Sequence, residues 1–192
     1  VLLVILFCIQ FYYYAIAYYR IVRFRLMRSR PKRRESPAIS VIVAVRGESE
    51  HFLVEELPVL LSQEYDNYEV VVVYIGGDAG YYDELQRIRD NHSYMRLTKM
   101  GGNERIYIST KQALNVGIKS AQYNSLLFTI PGAIPISNEW VATMAKGFER
   151  GSVVIAPAVP NFESKGITRY VMRMIEFHLQ RNAFARAVVG KP

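Results

Sequence analysis

The sequence has very little cysteine and no biased tract. Its 192 residues include one cysteine, Cys8, so an intrachain disulfide is excluded and nothing indicates an oxidising compartment. No stretch is rich in Gly and Pro or in Gln and Asn, which excludes a fibrous or low-complexity chain. Apolar residues make up 51% and charged residues 21%, which excludes a disordered chain. We therefore expect one domain of ordinary size with a packed core.

Acidic residues are absent before Glu35, and this absence localises the charge. Eight of the 24 Lys and Arg lie between Arg20 and Arg34, which leaves 16 against 17 Asp and Glu in residues 35–192. The formal charge of +7 thus belongs to one basic run, and the remainder is close to neutral. A nucleic-acid partner is not expected, because the folded part is not basic. The run suits contact with anionic lipid at a membrane.

Residues 1–19 carry no charge, and tyrosines gather at the end that precedes the basic run. Such a segment predicts a transmembrane helix over residues 1–19, and the basic flank predicts that residues after Arg20 face the cytoplasm from the inner membrane. A cleaved signal peptide and a buried soluble helix are the alternatives. Residues 20–36 read as a basic juxtamembrane linker.

Beyond the linker, short β-branched runs alternate with amphipathic segments. This order predicts an α/β fold with a mainly parallel sheet flanked by helices and a ligand crevice at the carboxyl ends of the strands. The predicted strands are Ile39–Val45, Glu69–Tyr74, Met95–Lys99, Ser125–Thr129 and Val153–Ala156. The predicted helices are Glu50–Gln63, Tyr82–Asp90, a helix capped by Ser109, Asn138–Phe148 and Ile167–Ala187.

Four segments between residues 37 and 140 resemble, in order and spacing, the motifs of family 2 glycosyltransferases. They are PAISVIVAVRGE at Pro37–Glu48, LLSQEYDNYEVVVV at Leu60–Val73, KQALNVGIKSA at Lys111–Ala121, and SLLFTIPGAIP at Ser125–Pro135 with Trp140 after it. With the apolar segment in front, the chain resembles a membrane-anchored bacterial member.

The resemblance implies a GT-A nucleotide-sugar fold and inverting transfer of a sugar to a lipid-linked or polysaccharide acceptor. In that family a D-x-D turn holds a Mg or Mn ion that neutralises the leaving diphosphate, an Asp after the second strand binds the base, and a later carboxylate deprotonates the acceptor. We expect the glycosyltransferase-like domain to cover residues 37–192. We also expect it to be incomplete, because the acceptor half would follow Pro192.

The chain departs from the family at the carboxylates. The two D-x-D positions fall on Ile130 and Gly132, and the nucleotide-binding Asp falls on Ile75. Isoleucine cannot coordinate a divalent cation, and glycine offers only a carbonyl. The sequence therefore predicts no catalytic residue, no metal ligand and no cofactor, with a nucleotide sugar and Mg or Mn bound only if the family chemistry survives.

Four polar residues at the strand ends are candidate remnants of a nucleotide pocket: Arg46, Glu48, Asp78 and Lys111. Each also has an ordinary explanation as a surface residue. Two functions remain open. One is a glycosyltransferase with an unusual metal-free site or with residues supplied by another chain. The other is a non-catalytic scaffold or regulatory subunit that partners a membrane complex or an active paralogue.

Overall fold

The computed structural model describes residues 2–17, 19, 36–101, 108–148, 154, 156 and 166–188. The strands are β1 (Ile39–Arg46), β2 (Tyr68–Ile75), β3 (Met95–Met100) and β4 (Ser125–Thr129). The helices are α1 (Leu2–Phe11, continued by π-helical Tyr12–Ala17), α2 (π-helical Phe52–Glu56 followed by α-helical Leu57–Leu61), α3 (Ala79–Asn91), α4 (Thr110–Ser120), α5 (Trp140–Phe148) and α6 (Ile167–Val188).

Contacts divide the chain into two units. One comprises Pro31–Val154, and the other comprises Val1–Arg30 together with Ile155–Pro192. The first unit contains the sheet with α2 to α5, and the second contains α1 and α6. The predicted limits of the glycosyltransferase-like domain, 37–192, stay a prediction.

The sheet of the first unit is parallel, with strand order β3-β2-β1-β4. Every residue of β2 is buried, as is every residue of β1 except Arg46. Strands without polar alternation are typical of a parallel sheet covered on both faces, so the predicted α/β class with a parallel sheet is confirmed.

Each face of the sheet has its own core. On one face, Val43 and Val72 belong to a cluster with Leu57 of α2, Leu85 of α3 and Val141 of α5. On the other face, a smaller cluster joins alternate residues of the same two strands to Ala113 of α4. The period of two along each strand sends neighbouring side chains to opposite faces. The sheet is thus held between helices.

Helix α4 lies close against the sheet at Gly117. A Cβ added to Gly117 would meet Ile42 Cγ2 at 2.5 Å and Val73 Cγ2 at 3.2 Å. The helix begins at the predicted cap, since Ser109 Oγ accepts a hydrogen bond from Gln112 N–H and the Gln112 side chain accepts one from Ser109 N–H. The start of the helix is thus fixed by its own sequence. Its close distance to the sheet is possible because Gly117 has no side chain.

A buried carboxylate ties together the amino ends of the strands. Glu69 of β2 accepts hydrogen bonds from Ser40 Oγ at 2.6 Å and from Gln122 N–H at 2.5 Å. Its second oxygen lies 2.7 Å from Nε of Arg96 on β3. Ser40 Oγ also accepts a bond from Tyr123 N–H at 3.1 Å. One side chain therefore links β1, β2, β3 and the loop that leads into β4.

The predicted transmembrane helix over residues 1–19 is wrong. The α-helix α1 has ten residues, about 15 Å at 1.5 Å per residue, and its hydrogen bonding changes to the wider π pattern at Tyr12. Among the described residues, no helix combines the length and the apolar character needed to cross a bilayer. Hydropathy does not reveal where regular α-helical hydrogen bonding stops. The predicted linker 20–36 lies outside the described residues except for Ser36.

Other boundaries differ by local chemistry. The predicted helix Tyr82–Asp90 begins earlier, at Ala79, because Asp78 caps it. The predicted helix Asn138–Phe148 begins at Trp140. Of the predicted strand Val153–Ala156, residues 154 and 156 are described and neither is in a strand.

Candidate functional site: the carboxyl edge of the sheet

The carboxyl ends of neighbouring strands are joined by backbone hydrogen bonds. Gly47 N–H, after β1, donates to Ile75 O at 3.0 Å, and Gly76 N–H, after β2, donates to Met100 O at 3.3 Å. Gly47 has a φ of +67°, which favours glycine. The loops that follow β1 and β2 therefore leave the sheet side by side at its carboxyl edge, and the ligand crevice expected there stays a prediction.

Two candidate cations lie near this edge. Arg46, the last residue of β1, is exposed, and its guanidinium donates to the Ile108 carbonyl just before α4. Lys111 is exposed in the first turn of α4. Arg46 thus binds the entrance to the helix that carries Lys111, so one of the two cations has a structural role.

The candidate acids at this edge are also exposed. Asp78 Oδ1 accepts a hydrogen bond from Tyr81 N–H at 2.5 Å and caps α3. Glu48 lies in the loop after β1. A capping carboxylate is held by the helix end, where backbone N–H groups and the helix dipole favour negative charge. Asp78 therefore has a complete structural explanation.

Tyrosines fill the space beneath the end of β2. Tyr74 is fully buried, and its ring centroid lies 5.3 Å from that of Tyr81 and 6.1 Å from that of Tyr82. Burial raises the pKa of Tyr74, and it raises the pKa of Tyr81 to about 12. The Tyr81 hydroxyl donates to Ser49 O at 3.0 Å, whereas the Tyr74 hydroxyl has no hydrogen-bond partner among the described residues. Both phenols are therefore neutral at pH 7.

The positions at which the resemblance would place carboxylates carry two isoleucines and a glycine with positive φ. Ile75 is 6% exposed and packs within the smaller core cluster, while Ile130, directly after β4, is 67% exposed. Gly132 has a φ of +91°, a conformation that L residues rarely adopt. An aspartate at Gly132 would have open space for its side chain but a strained backbone.

A carboxylate that the sequence analysis missed reaches this turn. Glu56 is 3% exposed, and its Oε1 accepts a hydrogen bond from Gly132 N–H at 2.8 Å. The same oxygen lies 3.1 Å from His51 Nδ1, and His51 Nε2 lies 3.4 Å from Glu55 Oε2. Glu56 thus holds the turn after β4 to α2.

The sequence does contain a signal for Glu56. It lies four residues after Phe52 and four before Leu60, both of which are buried, so it interrupts the apolar face of the predicted helix. An acid on an apolar face needs a partner. The partner is a backbone N–H 76 residues away, which the sequence does not reveal.

Replacing Glu56 with alanine is expected to free the turn after β4. The Gly132 amide loses its acceptor, so its hydrogen exchange should accelerate by at least tenfold in NMR. His51→Ala is the matched control, because it removes a contact of Glu56 but leaves the bond to Gly132. Unchanged exchange at Gly132 in the Glu56→Ala protein would contradict the tether.

The residues of this edge do not fit a carboxylate-held divalent cation. The Ile130 side chain has no donor atom, Gly132 offers only its carbonyl, and Glu56 already accepts hydrogen bonds through one oxygen. Within the described ranges, no group of three His, Cys, Asp or Glu side chains is placed to hold a metal ion.

The fold resembles that of a known glycosyltransferase. The structure resembles the mannosyltransferase PcManGT from Pyrobaculum calidifontis in complex with GDP-Man and Mn²⁺, with a TM-score of 0.54 and 22% identity over 78% of this chain and 44% of that one. A structure of S. aureus TarS 1–349 gives a TM-score of 0.49 and 20% identity over 62% of this chain and 39% of that one. No protein-family model and no curated protein sequence matches.

The PcManGT likeness shows the fold and not the activity. The parallel sheet and the PcManGT likeness together confirm the GT-A-like glycosyltransferase fold expected from the sequence. The chain spans less than half the length of either glycosyltransferase.

Proposed function

We propose that this chain is a family 2-like glycosyltransferase domain that does not transfer sugar by itself. The observation that carries the proposal is the turn after β4, where Ile130 is exposed and Gly132 combines a positive φ with a hydrogen bond to Glu56. A nucleoside diphosphate leaves readily only when its developing charge is neutralised. A turn with neither carboxylate has no side chain to hold the cation that would do so.

The motif residues that the chain keeps are ones with packing roles. Gln63 donates to Val59 O at 2.8 Å and accepts from Val141 N–H at 3.1 Å, which joins α2 to α5. Gly117 lets α4 approach the sheet. Ile75, Ile130 and Gly132, by contrast, replace residues that the family uses for chemistry. The pattern favours a domain that preserves its fold and has lost its donor site.

Such a domain serves as a scaffold or regulatory subunit beside an active paralogue or within a membrane complex. Two of the four candidate pocket residues, Arg46 and Asp78, are engaged in local structure, so no bound nucleotide is needed to explain their positions. The cofactor expectation stays a prediction: no metal-dependent donor binding by this chain alone.

Calorimetry with nucleotide sugars tests the proposal. Protein titrated with GDP-mannose or a UDP-sugar is expected to give the same heat with and without Mn²⁺, because no carboxylate pair holds the ion. Micromolar, Mn²⁺-dependent binding would overturn the proposal. A variant with Ile75→Asp, Ile130→Asp and Gly132→Asp is the matched comparison, and Mn²⁺-dependent heat in that variant alone would assign the loss to these three positions.

We also propose contact with anionic lipid through the basic run between Arg20 and Arg34. Its eight cations without an acid support attraction to the negatively charged cytoplasmic leaflet, at about 1 kcal/mol per residue near the surface. The run lies outside the described residues, so the support comes from the sequence. This contact would place the chain at the cytoplasmic face of the inner membrane.

A further inference from the structure

Helix α6 exposes large apolar side chains along its described length. The exposed fractions are 83% for Ile167, 71% for Tyr170, 49% for Ile175, 62% for Phe177 and 60% for Leu179. A helix on the surface of a soluble domain turns such residues toward a core. This face is therefore built to contact something other than water.

The burial pattern of α6 is the reverse of that expected in water. Glu176, His178 and Gln180 are only partly exposed, whereas the neighbouring Phe177 and Leu179 are exposed. At 100° per residue, the apolar side chains spread over more than half of the circumference, where His178 and Arg181 interrupt them, and Arg169, Arg173, Glu176 and Gln180 share the remaining stripe. The helix thus has a narrow polar stripe and a broad apolar arc, which includes the exposed Ile167, Tyr170, Ile175, Phe177 and Leu179.

Polar groups of α6 bind one another and α1's continuation. Gln180 Nε2 donates to Glu176 Oε1 at 3.0 Å, and Arg181 Nη2 lies 2.6 Å from His178 Nδ1. The Arg181 guanidinium also lies 5.2 Å from the Tyr14 ring centre and 5.5 Å from that of Phe177. These contacts lie within the unit, and the apolar side chains named above stay exposed beside them.

Charge identifies the occupant of this surface. Helix α6 contains four arginines and one acid, Glu176. A bilayer with anionic headgroups offers acyl chains to the apolar arc and phosphates to the arginines, and aromatic side chains such as Tyr170 and Phe177 suit its interface. A second copy of α6 would instead bring like charges together. An anionic lipid surface is therefore the best match.

We propose that α6 lies parallel to an anionic membrane, with its apolar arc in the boundary between headgroups and acyl chains. Helices of this kind enter that boundary by about 5–10 Å without spanning the bilayer. The inference deepens the lipid contact proposed for the basic run and adds a second, independent element to it. It does not depend on the donor site.

Vesicle flotation tests the inference. The full chain is mixed with vesicles of 70% phosphatidylcholine and 30% phosphatidylglycerol, or of phosphatidylcholine alone. A variant with Ile175→Glu and Leu179→Glu places two carboxylates in the apolar arc and is expected to bind anionic vesicles at least tenfold more weakly. The matched control, Asn67→Glu with Asn91→Glu, adds the same charge at exposed sites of the other unit and should bind within twofold of the unaltered chain.

The two lipid proposals fail separately. A variant with the basic run changed to glutamine should lose electrostatic binding but keep the contribution of α6. We call the Ile175→Glu, Leu179→Glu protein the arc variant and the protein with the basic run changed to glutamine the glutamine variant. If the arc variant binds vesicles as well as the control while the glutamine variant does not bind, the α6 inference is wrong and the basic-run proposal stands. If the arc variant instead loses self-association in sedimentation, α6 is a protein interface and the inference is also wrong.

A second measurement tests the inference even if the Ile175→Glu, Leu179→Glu protein does not fold. Phe177→Trp in a Trp140→Phe background leaves one tryptophan, on the apolar arc. Its fluorescence should shift to the blue with anionic vesicles and be quenched by brominated acyl chains. Emission that stays unshifted and unquenched while the protein floats with vesicles would overturn the inference.

Discussion

Replacing Glu69 with alanine is expected to lower the free energy of unfolding by about 2–4 kcal/mol. The change removes the acceptor shared by Ser40 Oγ, which is buried, and by Gln122 N–H, and leaves both donors without that partner. It also removes the ion pair with Arg96, whose side chain is 47% exposed and can return to water. Most of the loss should therefore come from the unsatisfied hydrogen bonds. Urea unfolding followed by circular dichroism measures it.

The control for Glu69 is Asp90→Ala. Asp90 pairs with Arg89 at 2.7 Å, but its side chain is 65% exposed, and exposed pairs contribute about 0–1 kcal/mol. Asp90→Ala should therefore change stability by less than about 0.5 kcal/mol. Equal effects of the two substitutions would show that burial of Glu69 does not matter.

Replacing Gly117 with alanine is expected to lower the free energy of unfolding by about 1–3 kcal/mol, the usual cost of overpacking a core. The new methyl group would lie 2.5 Å from Ile42 Cγ2. Ile42 is fully buried and β-branched, so it cannot turn away easily. Either α4 moves off the sheet or the core shifts, and both weaken packing. Thermal and urea unfolding measure the change.

Gly80→Ala is the matched control, because Gly80 is also helical. A Cβ there would meet only Asp78 Oδ1, at 3.5 Å, which is ordinary contact. Alanine is the better helix former by about 1 kcal/mol, so Gly80→Ala should be neutral or stabilising. A destabilisation as large as that of Gly117→Ala would refute the packing argument, since both changes add the same methyl group to a helix.

The motif resemblance to glycosyltransferases is carried in part by residues that build the fold. Gln63 and Gly117 are needed at their positions for hydrogen bonding and close packing, whatever the site does. A domain that has lost its donor chemistry still needs both. Motif likeness in this chain is thus a stronger guide to fold than to activity, and the family assignment stays a proposal.

The sequence by itself determined the parallel sheet, because unbroken β-branched runs such as Val70–Val73 fit only strands covered on both faces. It also determined the start of α4 through the Ser109 capping box, and it places Ile130 and Gly132 where the resemblance would require carboxylates. These features depend on near neighbours or on residue identity alone.

Only the tertiary structure decided the environment of those residues. The tether from Glu56 to Gly132 joins groups 76 positions apart, and the outward apolar arc of α6 depends on which side of the helix the rest of the unit covers. The regular α-helix also ends at Phe11, whereas the hydropathy pattern predicted a helix over residues 1–19. Each of these depends on where groups lie in space, because a linear pattern records which residues are apolar or charged but not what they contact.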